Sequence, residues 1–389
     1  MFRCERSGYS NGKGARRFDE SIDVEVLPMI DGGEGFVNAI LDIKGGDLIH
    51  KEVTGPVGNK TISYFGVFDE KGERTAVIEM AAVAGLKLVP LDQRNPLKTT
   101  SYGVGELISC ALDLEVDKIL IGCGDSGISD GGAGMAQALG IQFLDKDRQM
   151  LTVKGGEDLL EIDYIDTSNL DKRLSHIPVD VACNWKNVLC GEKGVARVFG
   201  PQKGATSEQV EQLSSALEHY ALLIQGAVGI DVRSLPGSGA SGGLGAGLLA
   251  FAGATLHSRF DIIRNFINIE QAIASSDVVI TAEGSLDSQT PNGKIPAEVA
   301  RIALKYDVPV IIIAGAIGDG ANLNYRAGID AYSSITQRPI SLKEALEKAP
   351  YWIEESTEAV LRKIAIGLQV AKREEASDER RIGRLYQKQ

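Results

Sequence analysis

The run Val308-Pro-Val-Ile-Ile-Ile-Ala314 is typical of a buried β-strand, because it is short, apolar and rich in β-branched residues. Residues 277–281 and 331–335 form two similar runs, and residues 295–306 carry apolar side chains at helical spacing. Apolar strands that are linked by a helix pair in parallel through a right-handed crossover. The pattern therefore predicts an α/β fold in this part of the chain.

The middle of the chain repeats this pattern and adds a hairpin. Lys118-Ile-Leu-Ile-Gly122 is typical of a buried strand, and helices are predicted before and after it. The further predicted elements are helices over residues 105–114, 134–139 and 207–225, hairpin strands over 61–68 and 74–80, and a long amphipathic helix over 341–370.

Length and composition exclude several classes of protein. A chain of 389 residues exceeds the size at which single cores stop growing, which predicts two domains. The net charge of −12 argues against nucleic-acid binding, because that binding needs a basic patch. The five cysteines form no Cys-x-x-Cys pair, so we expect reduced thiols and a cytoplasmic protein. No apolar stretch reaches the ~18 residues of a membrane span, so no membrane partner is expected.

One loop is built almost entirely of small residues. Gly237-Ser-Gly-Ala-Ser-Gly-Gly-Leu-Gly-Ala-Gly247 leads directly into an apolar run. Backbone N–H groups without side chains can approach a phosphate closely, and a following helix N-terminus adds attraction. The loop matches neither the Walker A pattern nor the dinucleotide fingerprint. Two interpretations stay open, namely an anion cradle and close helix packing.

Two further loops place acidic and hydroxyl side chains after predicted strands. Asp31 and Glu34 lie in a glycine turn that follows the apolar run 24–30, which predicts a strand. Their carboxylates suit Mg²⁺ or a substrate hydroxyl, and a capped turn is the alternative. In residues 122–134, Ser126 and Asp130 stand among backbone donors, which favours a functional loop over a plain connector.

Residues 281–294 combine acids, hydroxyls and a lysine. Asp287 can take a proton from an attacking hydroxyl or hold a metal, and Lys294 can neutralise a transferring phosphoryl group. Glu283 with Asp287 also fits acid–base hydrolysis, and an ordinary capped helix start is the third interpretation. Arg94 and Lys98 suit an anchor for a carboxylate or phosphate, although a capped loop explains them equally well.

These loops resemble the type I glycerate kinase family, in seven motifs that occur in family order along most of the chain. The resemblance implies ATP-dependent phosphorylation of D-glycerate, most often to 2-phosphoglycerate, with Mg²⁺ as cofactor. It makes D-glycerate and ATP the expected small-molecule partners and allows a homodimer. The motifs are Pro28-Met-Ile-Asp-Gly-Gly-Glu-Gly35, Ile78-Glu-Met-Ala-Ala82, Arg94-Asn-Pro-Leu-Lys-Thr-Thr-Ser-Tyr-Gly103, Ser129-Asp-Gly-Gly-Ala-Gly134, Gly200-Pro-Gln-Lys-Gly204, the glycine loop, and residues 283–294.

The resemblance also implies two α/β domains with the active site in a cleft between them. One domain is expected to be flavodoxin-like and built from both chain ends, residues 1–75 and 285–389, and the other to be inserted as residues 76–284. The predicted roles are catalytic for Asp287, Lys294 and Asp130, substrate-binding for Arg94, Lys98, Asp31 and Ser126, nucleotide-binding for Gly237, Ser238, Gly239, Ser241, Gly242 and Gly243, and metal-binding for Glu34 and Glu283.

The chain departs from the family pattern in two places. Members usually begin with a buried strand that ends in an Asp-Ser-Phe-Lys-Gly-Ser loop, whereas residues 1–23 here contain charged residues that break such a strand. Residues 122–130 read Gly-Cys-Gly-Asp-Ser-Gly-Ile-Ser-Asp, where Gly-Gly-Ser-Ala-Thr-Asn-Asp is common. The alternative function is therefore an impaired paralogue that binds a hydroxy acid or nucleotide as a regulatory module.

Overall fold

We describe the protein from a computed structural model. The structure describes residues 4–27, 29, 32–292 and 294–386, with side chains at 8–27, 29, 32–291 and 294–373. The chain forms two compact units. The terminal unit comprises the described residues of Met1–Met29 and Asn268–Gln389, and the central unit those of Ile30–Ile267.

Helices and strands alternate along much of the described chain. The helices are α1 Cys4–Phe18, α2 Phe36–Lys44, α3 Ala81–Ala84, α4 Tyr102–Leu112, α5 Ala133–Ala138, α6 Val195–Phe199, α7 Ser207–Val228, α8 Ala240–Phe251, α9 Arg259–Phe266, α10 Ile269–Ala274, α11 Ile295–Ala303 and α12 Leu342–Tyr386. The strands are β1 Asp47–Thr54, β2 Lys60–Glu70, β3 Glu73–Glu79, β4 Lys118–Gly122, β5 Gln142–Leu144, β6 Met150–Leu151, β7 Tyr164–Asp166, β8 Val179–Cys183, β9 Thr255–Ser258, β10 Val279–Leu286, β11 Val310–Ile317 and β12 Ala331–Ser334.

The central unit is built on a six-stranded mixed sheet in the order β1-β2-β3-β4-β8-β9. The first three strands are antiparallel, and β3, β4, β8 and β9 are parallel. Its core gathers apolar side chains such as Ile78, Ile119 and Val181 from neighbouring strands with Leu107 and Leu244 from the helices. Strands β5, β6 and β7 form a small antiparallel sheet beside it.

The terminal unit carries a three-stranded parallel sheet in the order β10-β11-β12. The α/β class predicted from the sequence is confirmed, and so is parallel pairing of the apolar run at 308–314 with its two neighbours. Trp352 and Ile353 of α12 pack against Ile313 of β11. Helix α1 lies against α12, where a Cβ on Gly14 would lie 2.4 Å from the carbonyl oxygen of Glu354.

Helix α12 runs from Leu342 to Tyr386, although Pro350 lies inside it. The helix is therefore longer than the amphipathic stretch 341–370 indicated. In the described part of the chain, no helix is both long and apolar enough to cross a membrane.

One predicted strand is wrong. Residues 22–27 adopt no regular secondary structure in the described part of the apolar run 24–30. The side chains of Val24 and Val26 lie instead over Gly12 and Gly8 of α1, at 3.3 Å and 2.8 Å from where a Cβ would stand. A strand needs a hydrogen-bonded neighbouring strand as well as alternating apolar residues. In residues 24–27 the alternating valines pack on a helix instead.

The two units divide the chain after residues 29 and 267. The boundaries predicted from the sequence lie after residues 75 and 284 instead, and the flavodoxin-like fold of the terminal domain stays a prediction. Strands β1 and β2 explain the difference at the first boundary, because β1 pairs with β2 and β2 pairs with β3, which places both in the central sheet.

Candidate functional site

Charged and hydroxyl side chains collect where the parallel strands of the central unit end. Ligands bind at the carboxyl ends of the strands in open α/β sheets. Strand β3 ends at Glu79 and β4 at Gly122, and residues 32–35 pack against both ends. A Cβ on Gly124 would lie 2.7 Å from the Cα of Gly33, so the two loops touch through their backbones.

Glu79 organises the first of these loops. Its side chain is 1% exposed and accepts hydrogen bonds from the backbone N–H groups of Gly35 at 3.0 Å and Val37 at 3.2 Å. These donors lie at the start of α2, where helix N–H groups lack internal partners and favour a carboxylate. Glu79 belongs to the motif Ile78-Glu-Met-Ala-Ala82, which by itself predicts no role for this carboxylate.

Glu34 lies at the rim of the same loop. Its carboxylate forms an ion pair with Lys87, and its backbone N–H donates to Asp125 Oδ2 at 3.1 Å. The backbone of Glu34 therefore contacts the 122–134 loop, and its role as a metal ligand stays a prediction. Asp31, its predicted neighbour in function, lies outside the described residues.

Asp130 is the main hydrogen-bond acceptor of the second loop, residues 122–134. Its side chain is 0% exposed and accepts four hydrogen bonds, from Ser101 N at 2.7 Å, Ser101 Oγ at 2.8 Å, Gly132 N at 3.1 Å and Gly134 N at 3.2 Å. Burial raises the pKa of Asp130, and the hydrogen bonds oppose that shift. A carboxylate enclosed in this way favours positioning of the loop over direct contact with substrate.

Lys203 is a buried lysine that contacts this loop from the Gly200–Gly204 turn. Its side chain is 2% exposed, and its Nζ donates to Ser126 Oγ at 3.0 Å, Ile128 O at 2.5 Å and Ser129 Oγ at 3.3 Å. Burial lowers the pKa of Lys203 to about 7, while the nearby Asp130 carboxylate acts in the opposite direction. The half-buried Ser126, a predicted substrate residue, therefore has a cationic partner behind it.

The two predicted anchors of a substrate carboxylate differ in their surroundings. Arg94 is half-buried, and its Nε is buried with no hydrogen-bond partner among the described residues. Lys98 is exposed and lines a cavity of about 450 Å³ together with Lys154, Thr100 and Tyr102. Lys98 thus presents its ammonium to the cavity, whereas Arg94 has one buried donor without a partner among the described residues.

The glycine loop is buried throughout residues 237–248. Ser241, Gly242 and Gly243 adopt positive φ angles of 52°, 71° and 91°, and a Cβ on Gly242 would lie 2.0 Å from Ile128 O. Ser238 Oγ accepts from the backbone N–H of Leu189 at 3.1 Å. Of the two interpretations left open, these contacts favour close packing, and nucleotide binding by Gly237, Gly239 and the neighbouring predicted residues stays a prediction.

The terminal unit places Asp287 and Lys294 together after β10. Asp287 Oδ1 lies 3.7 Å from Lys294 Nζ and accepts from the backbone N–H of Gln289 at 2.8 Å. Lys294 Nζ also donates to Ser285 O at 3.2 Å. Glu283 lies four residues earlier on β10, opposite Ala314 of β11. The predicted base and the predicted charge stabiliser therefore form one half-buried pair.

The described residues contain no group of three or more His, Cys, Asp or Glu side chains that are arranged to hold a metal ion. Mg²⁺ is commonly held by one or two carboxylates together with substrate phosphates and water. Glu283 within β10 and Asp287 just after it are two such carboxylates, whereas Glu34 is engaged by Lys87.

Parallel strands that carry carboxylates, lysines and hydroxyls at their carboxyl ends are typical of α/β enzymes that bind small polar ligands. The model of the Glycerate kinase family matches residues 10–365. The chain belongs to this family and is a kinase.

Named relatives match over nearly their whole length. The chain is 43% identical over 360 residues to "Glycerate kinase" of Bacillus subtilis (strain 168), covering 92% of each chain. It is 42% identical over 359 residues to "Glycerate 2-kinase" of Escherichia coli (strain K12), covering 92% of this chain and 93% of the relative. The crystal structure described as "putative glycerate kinase 2 from Salmonella typhimurium LT2" superposes with a TM-score of 0.76 at 42% identity, covering 94% and 95% of the two chains.

Sequence reasoning missed Lys203 and Glu79 as individual residues. Both lie in motifs that carried the resemblance, but a lysine between Gln202 and Gly204 has no pattern that predicts burial. The glycines at 200 and 204 indicated a turn, and Gly204 is left-handed with φ of 97°, but a turn does not encode which of its side chains is buried.

Proposed function

We propose that this chain transfers the γ-phosphoryl group of ATP to D-glycerate and forms 2-phosphoglycerate, with Mg²⁺. The observation that carries the proposal is the match of the family over residues 10–365, joined by 42% identity to a relative named "Glycerate 2-kinase". The alternative of an impaired regulatory paralogue is not favoured, because the similarity spans nearly the whole chain.

In the terminal unit, Asp287 is the residue we propose to orient the attacking hydroxyl of glycerate and accept its proton. Phosphoryl transfer depends on positioning and on stabilisation of charge more than on covalent help. Lys294, 3.7 Å from Asp287, is proposed to stabilise negative charge on the transferred group.

Glu283 and Asp287 are the carboxylates of the terminal unit proposed to hold Mg²⁺, with Glu34 as the ligand predicted in the central unit. When bound, Mg²⁺ would neutralise charge on phosphate oxygens. The half-buried position of Glu283 in the carboxyl-terminal half of a parallel strand supports this assignment.

In the central unit, Arg94, Lys98 and Ser126 are proposed to bind the carboxylate and hydroxyl groups of D-glycerate. The unpartnered Nε of Arg94 and the exposed ammonium of Lys98 support this. Asp130 is proposed to position the loop that carries Ser126. Cytoplasmic location and a homodimer stay predictions.

The test is a coupled assay of purified protein with D-glycerate, ATP and Mg²⁺, and product analysis that separates 2- from 3-phosphoglycerate. We expect 2-phosphoglycerate, and a loss of rate of at least ~100-fold for Asp287→Asn with the fold intact. Asp307→Asn, an exposed acid that precedes β11 on the same unit, is the matched control and should remain near wild type. Near-normal turnover by Asp287→Asn would remove it from the mechanism, and folded wild-type protein without turnover would refute the proposed function.

A further inference from the structure

The buried Lys203 has a hydrogen-bond arrangement that matches its three ammonium hydrogens. Its Nζ faces three oxygen acceptors, which are Ser126 Oγ, Ile128 O and Ser129 Oγ at 3.0, 2.5 and 3.3 Å. An ammonium group has three donors and no acceptor. A charged Lys203 therefore satisfies all its hydrogens within one loop.

Only one of the three residues that accept from Lys203 is partly exposed to solvent. Ile128 and Ser129 are 0% and 1% exposed, and Ser129 Oγ donates back to Ile128 O at 2.8 Å. Ser126 is half-buried, and its backbone is fixed by an antiparallel bridge to Gly85. The accessible side of the Ser126 hydroxyl is therefore the side away from Lys203.

The direction of the hydrogen bond determines what Ser126 can offer. A serine hydroxyl has one hydrogen to donate and two lone pairs to accept with. Because the oxygen accepts from a cation that has no lone pair, the hydroxyl hydrogen cannot point back at Lys203. We propose that Lys203 is a positioning residue that fixes the Ser126 hydroxyl as a hydrogen-bond donor to the carboxylate of D-glycerate. This inference rests on the proposed function.

The charge of Lys203 is set by groups packed around its loop. Burial lowers its pKa to about 7, and the Asp130 carboxylate raises it. Tyr220 of α7, which lies near Asp130, is held neutral because burial raises its pKa. Arg94 packs its backbone against Gly204, the residue that follows the lysine. Loss of the proton gives Nζ a lone pair that can accept the Ser126 hydrogen, which would reverse the hydroxyl and remove the donor.

The first experiment is a double-mutant cycle with Lys203→Met, Ser126→Ala and the combined variant. One hydrogen bond to an anion corresponds to a change of about 10-fold in binding, so each single variant should raise KM for D-glycerate by about that factor. The kcat and the KM for ATP should change little, because the interaction binds substrate and transition state alike. The combined variant should be no worse than either single variant, because both remove the same contact.

A structural role of Lys203 gives a different result. Losses that multiply in the combined variant, or a fall in kcat without a rise in KM for D-glycerate, would overturn the inference. Lys193→Met is the matched control, since Lys193 is an exposed lysine ten residues earlier, and it should behave like wild type. Thermal melts establish that each variant is folded.

The second experiment is the pH dependence of kcat/KM for D-glycerate, which remains informative if Lys203→Met does not fold. A protonated Lys203 is present below its pKa, so kcat/KM should fall as the pH rises through about 7. That limb should be absent in Ser126→Ala. Persistence of the limb in Ser126→Ala overturns the inference. Wild-type protein that is inactive on D-glycerate refutes the proposed function instead, which keeps the two failures distinct.

Discussion

Replacing Asp130 by alanine tests whether this carboxylate positions the loop or acts in the chemistry. The change removes the acceptor of four hydrogen bonds inside the central unit. Hydrogen bonds to a charged group contribute about 1.5–3 kcal/mol each, but the desolvation of the carboxylate offsets much of their sum. We therefore expect a net loss of about 3–5 kcal/mol in the free energy of unfolding.

Differential scanning calorimetry measures this loss directly. A domain of 150–250 residues loses about 2–4 °C of melting temperature per kcal/mol, which gives roughly 6–20 °C for the central unit. The matched control is Asp145→Ala, because Asp145 also accepts two backbone hydrogen bonds, at 2.9 and 2.8 Å, but in an exposed turn. Its loss should stay within about 1 kcal/mol.

An Asp130→Ala protein that has the melting temperature of wild type but no activity would refute a positioning role for Asp130. That result would assign Asp130 a direct part in the reaction. Equal shifts for Asp130→Ala and Asp145→Ala would show that burial of the network adds nothing.

Two further predictions concern backbone shape and pH. Gly242→Ala should destabilise the central unit by at least about 2 kcal/mol, because a left-handed φ is costly for alanine and its Cβ would meet Ile128 O at 2.0 Å. Gly226→Ala, inside α7 with open space around its Cβ, should instead stabilise by about 0.5–1 kcal/mol, and calorimetry compares the two. Although burial raises the pKa of Asp180, Lys118 and His257 outweigh it and hold that pKa below its ordinary value of 3.8. Its ionised form thus adds stability above pH 3.8 that is lost on acidification, and acid unfolding of Asp180→Asn should lack this component.

A helix or strand could be predicted from the sequence wherever the pattern within that one segment is sufficient to identify it. The apolar run at 308–314 and the helix at 207–225, which is capped by Thr206, were predicted at nearly their observed positions. Residues 24–27 could not be placed this way, because a strand and an extended segment on a helix share the same apolar alternation. The difference depends on which neighbour the segment meets, and that is a property of the tertiary structure.

The candidate site shows the same limit. The sequence located the loops that end β4 and β10, since acids and hydroxyls among glycines are unusual in connectors. It could not distinguish Asp130, enclosed by four donors, from Asp287, half-buried beside a lysine. Those roles depend on burial and partners, which residue type and spacing do not encode.

The glycines of the 237–247 segment have a mechanical consequence. A Cβ on Gly242 would lie 2.0 Å from Ile128 O, and one on Gly247 would lie 2.9 Å from Gly131 O, so main chain touches main chain at both points. Packed elements usually adjust to strain by changing side-chain rotamers, and no rotamer exists at such contacts. Residues 128–131 should therefore move with α8 as a single stiff body. Ser126 lies two residues before this stiff segment, which limits how far its side chain can be displaced when a substrate binds.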